Sequence, residues 1–179
     1  MDEMKFKEIY ERNVDTVYRI CYSYLKNKSD AEDIVQETFI RLLRKEVKFE
    51  NYKHEKAWLI VTASNLCKNS LKSWKNKIDN IEDYNLANPN EKNDIDETLH
   101  IVLNLPNKYK TTIYLYYYEG YSSIEIAKII GKKESTVRSQ LKRGREILKV
   151  KIGGELDEWN KKSIWNNKVR WRIKREDIL

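Results

Sequence analysis

Residues that interrupt helices are scarce in this sequence, whose 179 residues include only 5 Gly and 2 Pro. Because neither residue is well tolerated inside a helix, the scarcity favours an all-α protein over a turn-rich β protein. No apolar run of about 18 residues occurs, so no membrane-spanning helix is predicted. The N-terminal MDEMKFKEIY is charged and lacks the apolar segment of a signal peptide. We therefore expect a cytoplasmic protein without stable membrane insertion.

Side chains that commonly carry catalysis or bind metals are also few. The two cysteines, Cys21 and Cys67, and the two histidines, His54 and His100, are widely separated. Disulfide frameworks and zinc sites need closely spaced pairs, so we predict two reduced thiols in or near a helical core. No Ser/His/Asp arrangement is visible. We predict no catalytic residue, no metal site and no cofactor.

The net charge of +7 is unevenly distributed along the chain. Residues 160–179 hold seven Lys/Arg against two acids, whereas residues 79–97 hold seven acids against one lysine. A basic total is therefore weak evidence for nucleic-acid binding, and the local distribution of charge has to be examined instead.

Apolar residues at helical spacing predict three helices in the first part of the chain. The first extends from about Phe6 to Leu25, and the second begins at Ser29, which with Glu32 has the spacing of a capping box. The inner face of the second helix is predicted to comprise Ala31, Ile34, Val35, Thr38, Leu42 and Leu43. A loop at 49–55 precedes the third helix, which runs through Trp58 and Leu71. Three helices with short loops predict a compact bundle.

The segment 78–94 differs in character from its neighbours, because it is rich in Asn and Asp and shows no periodicity. This composition predicts a flexible linker between two domains. A further helix is expected from about residue 94 to just before Pro106. The tail, residues 160–179, alternates basic and apolar residues. It suits a strand or surface-binding segment, a disordered extension or a non-native addition.

Three helices are predicted after Pro106, and the last two form a helix-turn-helix. Their sequence is SSIEIAKIIGKKESTVRSQLKRGR, in which Ser122 and Glu125 form another capping box. The small Ala127, the turn residue Gly131 and the apolar Val137 are spaced so that the two helices cross closely.

The face of the last helix that points away from these apolar residues is polar and basic. Between residues 132 and 151 the sequence has eight Lys/Arg and two Glu. Small hydroxyl side chains allow close approach to a groove, and cations reach bases or phosphates. We predict that this helix enters a DNA major groove through Ser135, Thr136, Arg138, Ser139, Lys142 and Arg143. The alternative is a solvated face of an ordinary helix.

Three motifs follow one another along the chain: DAEDIVQETFIRLLR, KAWLIVTASNLCKNSLKSWK and LPNKYKTTIYLYYYEGYSSIEIAKIIGKKESTVRSQLKRGREIL. Together they resemble an extracytoplasmic-function (ECF) sigma factor, a minimal member of the sigma-70 family that has only the second and fourth sigma domains. The resemblance covers about residues 4–150. It implies a subunit that binds core RNA polymerase and directs promoter-specific initiation, under control of a cognate anti-sigma factor.

The resemblance also implies an organisation of the chain and a set of partners. It places a region 2 domain, an acidic linker and a region 4 domain at residues 1–77, 78–94 and 95–152. A basic tail of unknown role, residues 153–179, is left outside the resemblance. The expected partners are promoter DNA and the β′ coiled coil and β flap of the polymerase core.

Contact residues in the front domain are implied by the same resemblance. Asp33, Gln36 and Glu37 occupy polar positions that dock on the β′ coiled coil, and an exposed acid–amide cluster suits a basic partner. Phe49 and Asn65 are expected to pocket a base flipped from the minus-ten element. The residues expected to follow the adjacent DNA strand are Lys68, Asn69, Lys72 and Lys75.

The chain departs from the family pattern at three positions. Trp74 stands where the family commonly has arginine. Lys133 replaces a hydroxyl residue that often caps the recognition helix, and this costs about 1 kcal/mol. Gly144 replaces a usual alanine, which costs about as much in helix propensity. The changes at Lys133 and Gly144 are expected to loosen the last helix without altering its role.

Two other classes of protein are compatible with parts of the pattern. An ordinary transcription regulator would use the front bundle for dimerisation or ligand binding, and would bind a palindrome without polymerase. A nucleic-acid-processing enzyme would need clustered carboxylates to hold a metal. The acids of residues 79–97 fall in the predicted linker, which disfavours the enzyme.

Overall fold

The computed structural model describes residues 2–45, 47–78 and 105–151, without the side chains of 75–78 and 151. Every regular element within these ranges is an α-helix, as an all-α protein requires. The described helices form two compact units, one from residues 3–78 and the other from residues 107–151. The helix predicted before Pro106, nearly all of the predicted linker and the basic tail lie outside the described residues.

The first unit is a bundle of three helices: α1 (Glu3–Leu25), α2 (Lys28–Lys45) and α3 (Tyr52–Ile78). Each of the three packs against the other two. The side chains that are almost completely removed from solvent include Ile9, Val17, Ile20, Phe39, Leu42, Leu59 and Ile60. The compact three-helix bundle predicted from the apolar spacing is confirmed.

The turn between α1 and α2 differs from the prediction. Lys26 adopts the left-handed conformation (φ 54°) and donates its N–H to the Tyr22 carbonyl at 2.9 Å, which ends α1. Asn27 Oδ1 then accepts the N–H of Asp30 at 3.1 Å, so Asn27 caps α2. The predicted capping box at Ser29 and Glu32 is wrong, because α2 begins at Lys28 and Ser29 therefore lies inside its first turn.

The buried face of α2 is rotated slightly from the predicted one. Leu43, predicted to face inward, is 41% exposed, whereas Phe39 is 3% exposed. Phe39 packs against two rings of α1, with centroid distances of 4.8 Å to Tyr10 and 6.2 Å to Phe6. These ring contacts bury Phe39 against α1, and Leu43 faces outward. The prediction that Leu43 lies on the buried face is therefore wrong.

The start of α3 is earlier than predicted. Asn51 Oδ1 accepts the N–H of His54 at 2.9 Å and so caps a helix that begins at Tyr52. Residues 52–55, predicted as loop, therefore form the first turn of α3.

The two cysteines meet in the core of this bundle. Cys21 and Cys67 are both buried and both free thiols, as predicted. A hydrogen bond with Cys67 raises the pKa of the Cys21 thiol, and burial raises it further. Both effects hold the Cys21 thiol protonated, so this residue packs in the core rather than acting as a nucleophile.

The second unit contains α4 (Asn107–Tyr117), α5 (Ser123–Ile130) and α6 (Glu134–Lys151), the three helices predicted after Pro106. Its buried apolar side chains include Ile113, Leu115, Ile126, Val137 and Leu148. A buried hydrogen bond of 2.8 Å from Thr112 Oγ1 to Gln140 Oε1 fixes α4 against α6.

The predicted helix-turn-helix geometry is confirmed at both of its key turns. The Ser122 N–H donates to Glu125 Oε2 at 2.7 Å and the Glu125 N–H donates to Ser122 Oγ at 3.3 Å, which is a capping box. At the end of α5, Gly131 is left-handed (φ 64°) and the Lys132 N–H reaches the Ala127 carbonyl at 3.0 Å. This Schellman-type ending turns the chain directly into α6.

Gly144 has a structural role that the sequence did not indicate. A Cβ added there would lie 2.7 Å from Ile113 Cδ1 and 2.8 Å from Ile113 Cγ1. Ile113 is fully buried on α4, so its side chain has little room to move. The glycine therefore allows close contact of α6 with α4, and the expectation that it only loosens the helix is incomplete.

Replacing Gly144 with alanine is expected to destabilise the protein by about 1 kcal/mol, because overpacking outweighs the gain in helix propensity of about 1 kcal/mol. In an Ile113→Ala background the clashing atoms are gone, so the same substitution is expected to stabilise. Chemical denaturation of all four proteins of this cycle measures the effect. An equal effect of Gly144→Ala in both backgrounds would show that Ile113 does not constrain position 144.

Candidate nucleic-acid interfaces

The outward face of α6 brings all the predicted groove-facing residues together. Every one of them is exposed: Ser135, Thr136, Arg138, Ser139, Lys142 and Arg143. On the opposite side of the helix, Val137 and Leu141 are buried against the unit's core. The helix therefore has one polar, mostly cationic face, and its orientation is set by the apolar residues behind it.

The N-terminus of α6 has no side-chain cap at Lys133. The N–H groups of Thr136 and Val137 donate to the Lys133 carbonyl at 3.0 and 3.2 Å, so the backbone alone begins the helix. Glu134 in the first turn places a negative charge at the positive end of the helix dipole. This charge offsets part of the loss expected from a lysine at the cap.

The carboxylate of Glu134 organises this end of the helix-turn-helix. Its Oε1 accepts hydrogen bonds from Arg138 Nε at 2.8 Å and from Ser123 Oγ at 3.0 Å, and lies 2.7 Å from Arg138 Nη2. The Arg138 side chain is nevertheless 68% exposed. Glu134 thus connects the first turn of α5 to a guanidinium that projects into solvent.

The outward face of α2 carries the predicted polymerase-binding residues. Asp33 and Gln36 are exposed, and Glu37 is partly exposed and pairs with Arg41 at 2.7 Å. Burial and the nearby negative charge of Asp33 raise the pKa of Asp30 in the same helix. The first half of α2 is therefore a site of concentrated negative charge, which a basic partner would relieve.

A polar stripe runs along the second half of α3. Asn65, Asn69 and Lys72 are exposed, and Lys68 is half-buried with its Nζ 5.7 Å from the centre of the Tyr24 ring. Residues at these spacings share one side of a helix. The stripe therefore brings two amides and two cations to one surface. The side chain of Lys75, also predicted here, is not among those described.

Phe49 lies against the beginning of α3. Its half-buried ring makes edge contacts with His54 and Trp58, at centroid distances of 5.8 and 6.0 Å. Trp58 is half-buried rather than a core residue. Asn65 follows Trp58 by seven residues, almost two turns, and so lies on the same side about 10 Å away along the axis. The two predicted pocket residues thus border one strip of surface.

A part-buried ion pair that the sequence reasoning missed connects α1 to the start of α3. Arg12 Nη2 lies 2.9 Å from both carboxylate oxygens of Glu55, and Asn13 Nδ2 donates to Glu55 Oε1 at 2.7 Å. The guanidinium also stacks on Tyr52, 4.2 Å from the ring centre. The Glu55 side chain is 8% exposed, whereas that of Arg12 is 33% exposed.

A signal for this network was present in the sequence. Asn13 continues the buried stripe of α1 four residues after Ile9, and Glu55 precedes buried Leu59 by four. Polar residues on an apolar stripe indicate a buried polar contact, although the pattern does not identify the partner.

Neither a metal cluster nor a membrane helix is found in the part of the chain that the structure describes. Within those ranges no three His, Cys, Asp or Glu side chains lie close enough to hold a metal ion. No helix there is long and apolar enough to cross a membrane.

Comparison with known proteins identifies both halves of the chain. The Sigma-70 region 2 family matches residues 9–76, and the Sigma-70 region 4 family matches residues 95–148. The chain is 30% identical over 171 residues to the ECF RNA polymerase sigma factor SigW of Bacillus subtilis, covering 84% of this chain and 90% of SigW. It is 32% identical over 143 residues to SigV of the same organism, covering 77% and 85%.

A solved structure shares the fold. The sigma factor RpoE of Bartonella quintana, crystallised with the anti-sigma factor NepR, superposes with a TM-score of 0.66 at 19% identity. The match covers 83% of this chain and 97% of RpoE. At this identity the likeness supports the architecture alone.

The chain belongs to the ECF sigma factors of the sigma-70 family. It is therefore a transcription initiation factor, whose region 2 and region 4 bind core RNA polymerase and promoter DNA. This family membership decides against the ordinary transcription regulator that the sequence alone left open.

Proposed function

We propose that the two units divide promoter recognition between them, with boundaries near residues 77 and 95. The first unit, around 1–77, docks on the polymerase core and captures the minus-ten element. The second, around 95–152, binds the β flap and reads the minus-thirty-five element, and the acidic segment 78–94 connects the two. The observation that carries the proposal is the polar face of α6, opposite buried Val137 and Leu141.

The docking role is assigned to the outward face of α2. Its concentrated negative charge and the exposed amide of Gln36 are complementary to a basic helical partner, the β′ coiled coil. Charge complementarity gives such an interface its orientation and its rate of association. We place the contact at Asp33, Gln36 and Glu37.

The minus-ten role is assigned to α3 and the loop before it. A flipped base needs an aromatic face and a side chain with both donor and acceptor, which Phe49 and Asn65 supply. Beyond them Lys68, Asn69 and Lys72 continue along one side of the helix, where they follow the phosphates of the same strand. We include Lys75 from its spacing in the sequence.

The minus-thirty-five role is assigned to the outward face of α6. Recognition helices contact base edges chiefly through their N-terminal half, where Ser135, Thr136, Arg138 and Ser139 lie. Lys142 and Arg143 follow one turn later and reach the phosphates or the next bases.

We also propose that the chain makes no covalent bond itself, since nucleotide transfer belongs to the polymerase. It acts in the cytoplasm, where it meets the core enzyme. A cognate anti-sigma protein covers the DNA-binding and core-binding faces until it is released. RpoE of Bartonella quintana, which shares this fold, was solved with such a partner.

Reconstitution with purified bacterial core polymerase tests the proposal directly. The chain is expected to co-elute with the core on gel filtration, and the transcript starts are expected to share one motif ten and another thirty-five base pairs upstream. Failure to associate with the core would contradict the proposal. So would duplex DNA recognition that is equally strong without polymerase.

Substitution of Asp33 and Gln36 by alanine is expected to weaken binding to the core at least about tenfold, because central interface residues carry most of the binding energy. Fluorescence titration of labelled chain with core enzyme measures the change. Glu11→Ala, which removes an exposed acid of α1, is the control for net charge. Equal losses from both variants would argue against a docking site on α2.

A further inference from the structure

Arg138 differs from the other cations on the outward face of α6. Its guanidinium presents two nitrogens to one oxygen of Glu134, at 2.7 and 2.8 Å. Within the described residues, neither Lys142 nor Arg143 forms an ion pair. The face therefore combines one restrained cation near the N-terminus of the helix with two unrestrained ones a turn later.

Glu134 is itself restrained from a second direction. The same Oε1 accepts the hydroxyl of Ser123 in the first turn of α5, at 3.0 Å. An acid held only by the following turn of its own helix would sample several rotamers, whereas this one is fixed between two helices. Its orientation, and that of the guanidinium bound to it, are therefore set by the helix-turn-helix scaffold.

This arrangement suits the reading of bases more than the binding of phosphates. The N-terminal end of a recognition helix is the part that reaches base edges. A carboxylate there repels phosphate oxygens, and it holds the arginine fork in one direction, as bidentate recognition of guanine requires. Exposed pairs at this spacing contribute little to helix stability, so the effect is expected in recognition.

We propose that Glu134 is a positioning residue for sequence recognition: it orients Arg138 towards base edges of the minus-thirty-five element and disfavours non-specific contact with phosphates. The proposal rests on the assignment of α6 to that element. It identifies as specificity-determining a residue that does not belong to the cationic set on this face.

The test uses the full chain bound to core polymerase and a pool of templates with a randomised minus-thirty-five element. Transcripts are sequenced, and the preference for the selected element over the pool average is compared for wild type and Glu134→Gln. We expect this preference to fall about fivefold to tenfold in the variant, within the range of one bidentate base contact. Because templates compete in one reaction, partial misfolding lowers the total yield but leaves the ratio unchanged.

Two further variants separate positioning from net charge. Glu146→Gln removes the same charge from an exposed site twelve residues further along α6, and it is expected to leave the preference unchanged. In an Arg138→Ala background, Glu134→Gln is expected to cause no additional loss, because the residue acts through Arg138.

Three results would overturn the inference. The first is an unchanged preference in Glu134→Gln, and the second is an equal loss of preference in Glu146→Gln. The third is that Glu134→Gln lowers the preference as much in the Arg138→Ala background as in the wild type. If the wild-type chain itself shows no preference at this element, the assignment of α6 fails and the inference fails with it. If the wild-type chain shows the preference and the Glu134→Gln variant keeps it, the positioning role of Glu134 is refuted while the assignment of α6 stands.

Discussion

Replacing Arg12 with alanine is expected to destabilise the first unit by about 3 kcal/mol, because the Glu55 carboxylate stays buried without its cation. Among the described residues, Asn13 would remain to bind that carboxylate, through its hydrogen bond of 2.7 Å. The value is placed at the low end for buried pairs, since a third of the Arg12 side chain is exposed. Urea denaturation, with hydrogen-exchange mass spectrometry of peptides from α1 and α3, assigns the loss to this unit.

Arg41→Ala provides the matched control for Arg12. Arg41 also pairs with a glutamate, Glu37 at 2.7 Å, but both side chains are more than one-third exposed. Removing an exposed pair costs about 0–1 kcal/mol. In an Arg12→Ala chain, Glu55→Gln is expected to recover part of the stability, because no unpaired charge is then buried. Equal losses from the Arg12 and Arg41 substitutions would show that the Glu55 pair is no more than a surface contact.

Loss of Arg138 or of Arg143 is expected to impair start-site selection severely while leaving core binding intact. A bidentate arginine–guanine contact discriminates by about 1–3 kcal/mol, so specific initiation should fall about tenfold to a hundredfold. Neither residue belongs to the first unit, where the proposed docking site on α2 lies. Sequencing of transcript starts from reconstituted polymerase, together with gel filtration of the complex, measures both effects.

Lys149→Ala controls for the loss of a positive charge on the same helix. Lys149 is exposed further along α6, beyond the six residues assigned to the groove. It is expected to reduce DNA affinity slightly and equally for all sequences, as a phosphate contact would. Promoter-specific initiation that survives both arginine substitutions would refute the assignment of α6.

Local patterns were sufficient to predict most of the second unit. The spacing of Ser122 and Glu125 predicted the capping box, and Gly131 predicted the turn into α6. These features depend on residues within one or two turns of one another. The same holds for the outward face of α6, since apolar positions at helical spacing determine which side remains exposed.

Predictions that depended on a neighbouring helix were less accurate. The sequence spacing predicted Leu43 on the buried face of α2, whereas contact with the rings of α1 buries Phe39 instead. The prediction for Gly144 considered only helix propensity and did not include Ile113. The clash with Ile113 depends on how closely α4 approaches α6. The roles assigned to Phe49, Asn65 and the lysines of α3 stay predictions.

The amino-acid order by itself determined the helices, the acidic segment between the two halves and the family to which the chain belongs. It did so because propensity, capping and apolar period act over a few residues. Only the tertiary structure decided that Arg12 meets Glu55, that Cys21 meets Cys67 and that Glu134 meets Ser123. Those contacts join positions on separate helices, and their partners are selected by packing rather than by any local pattern.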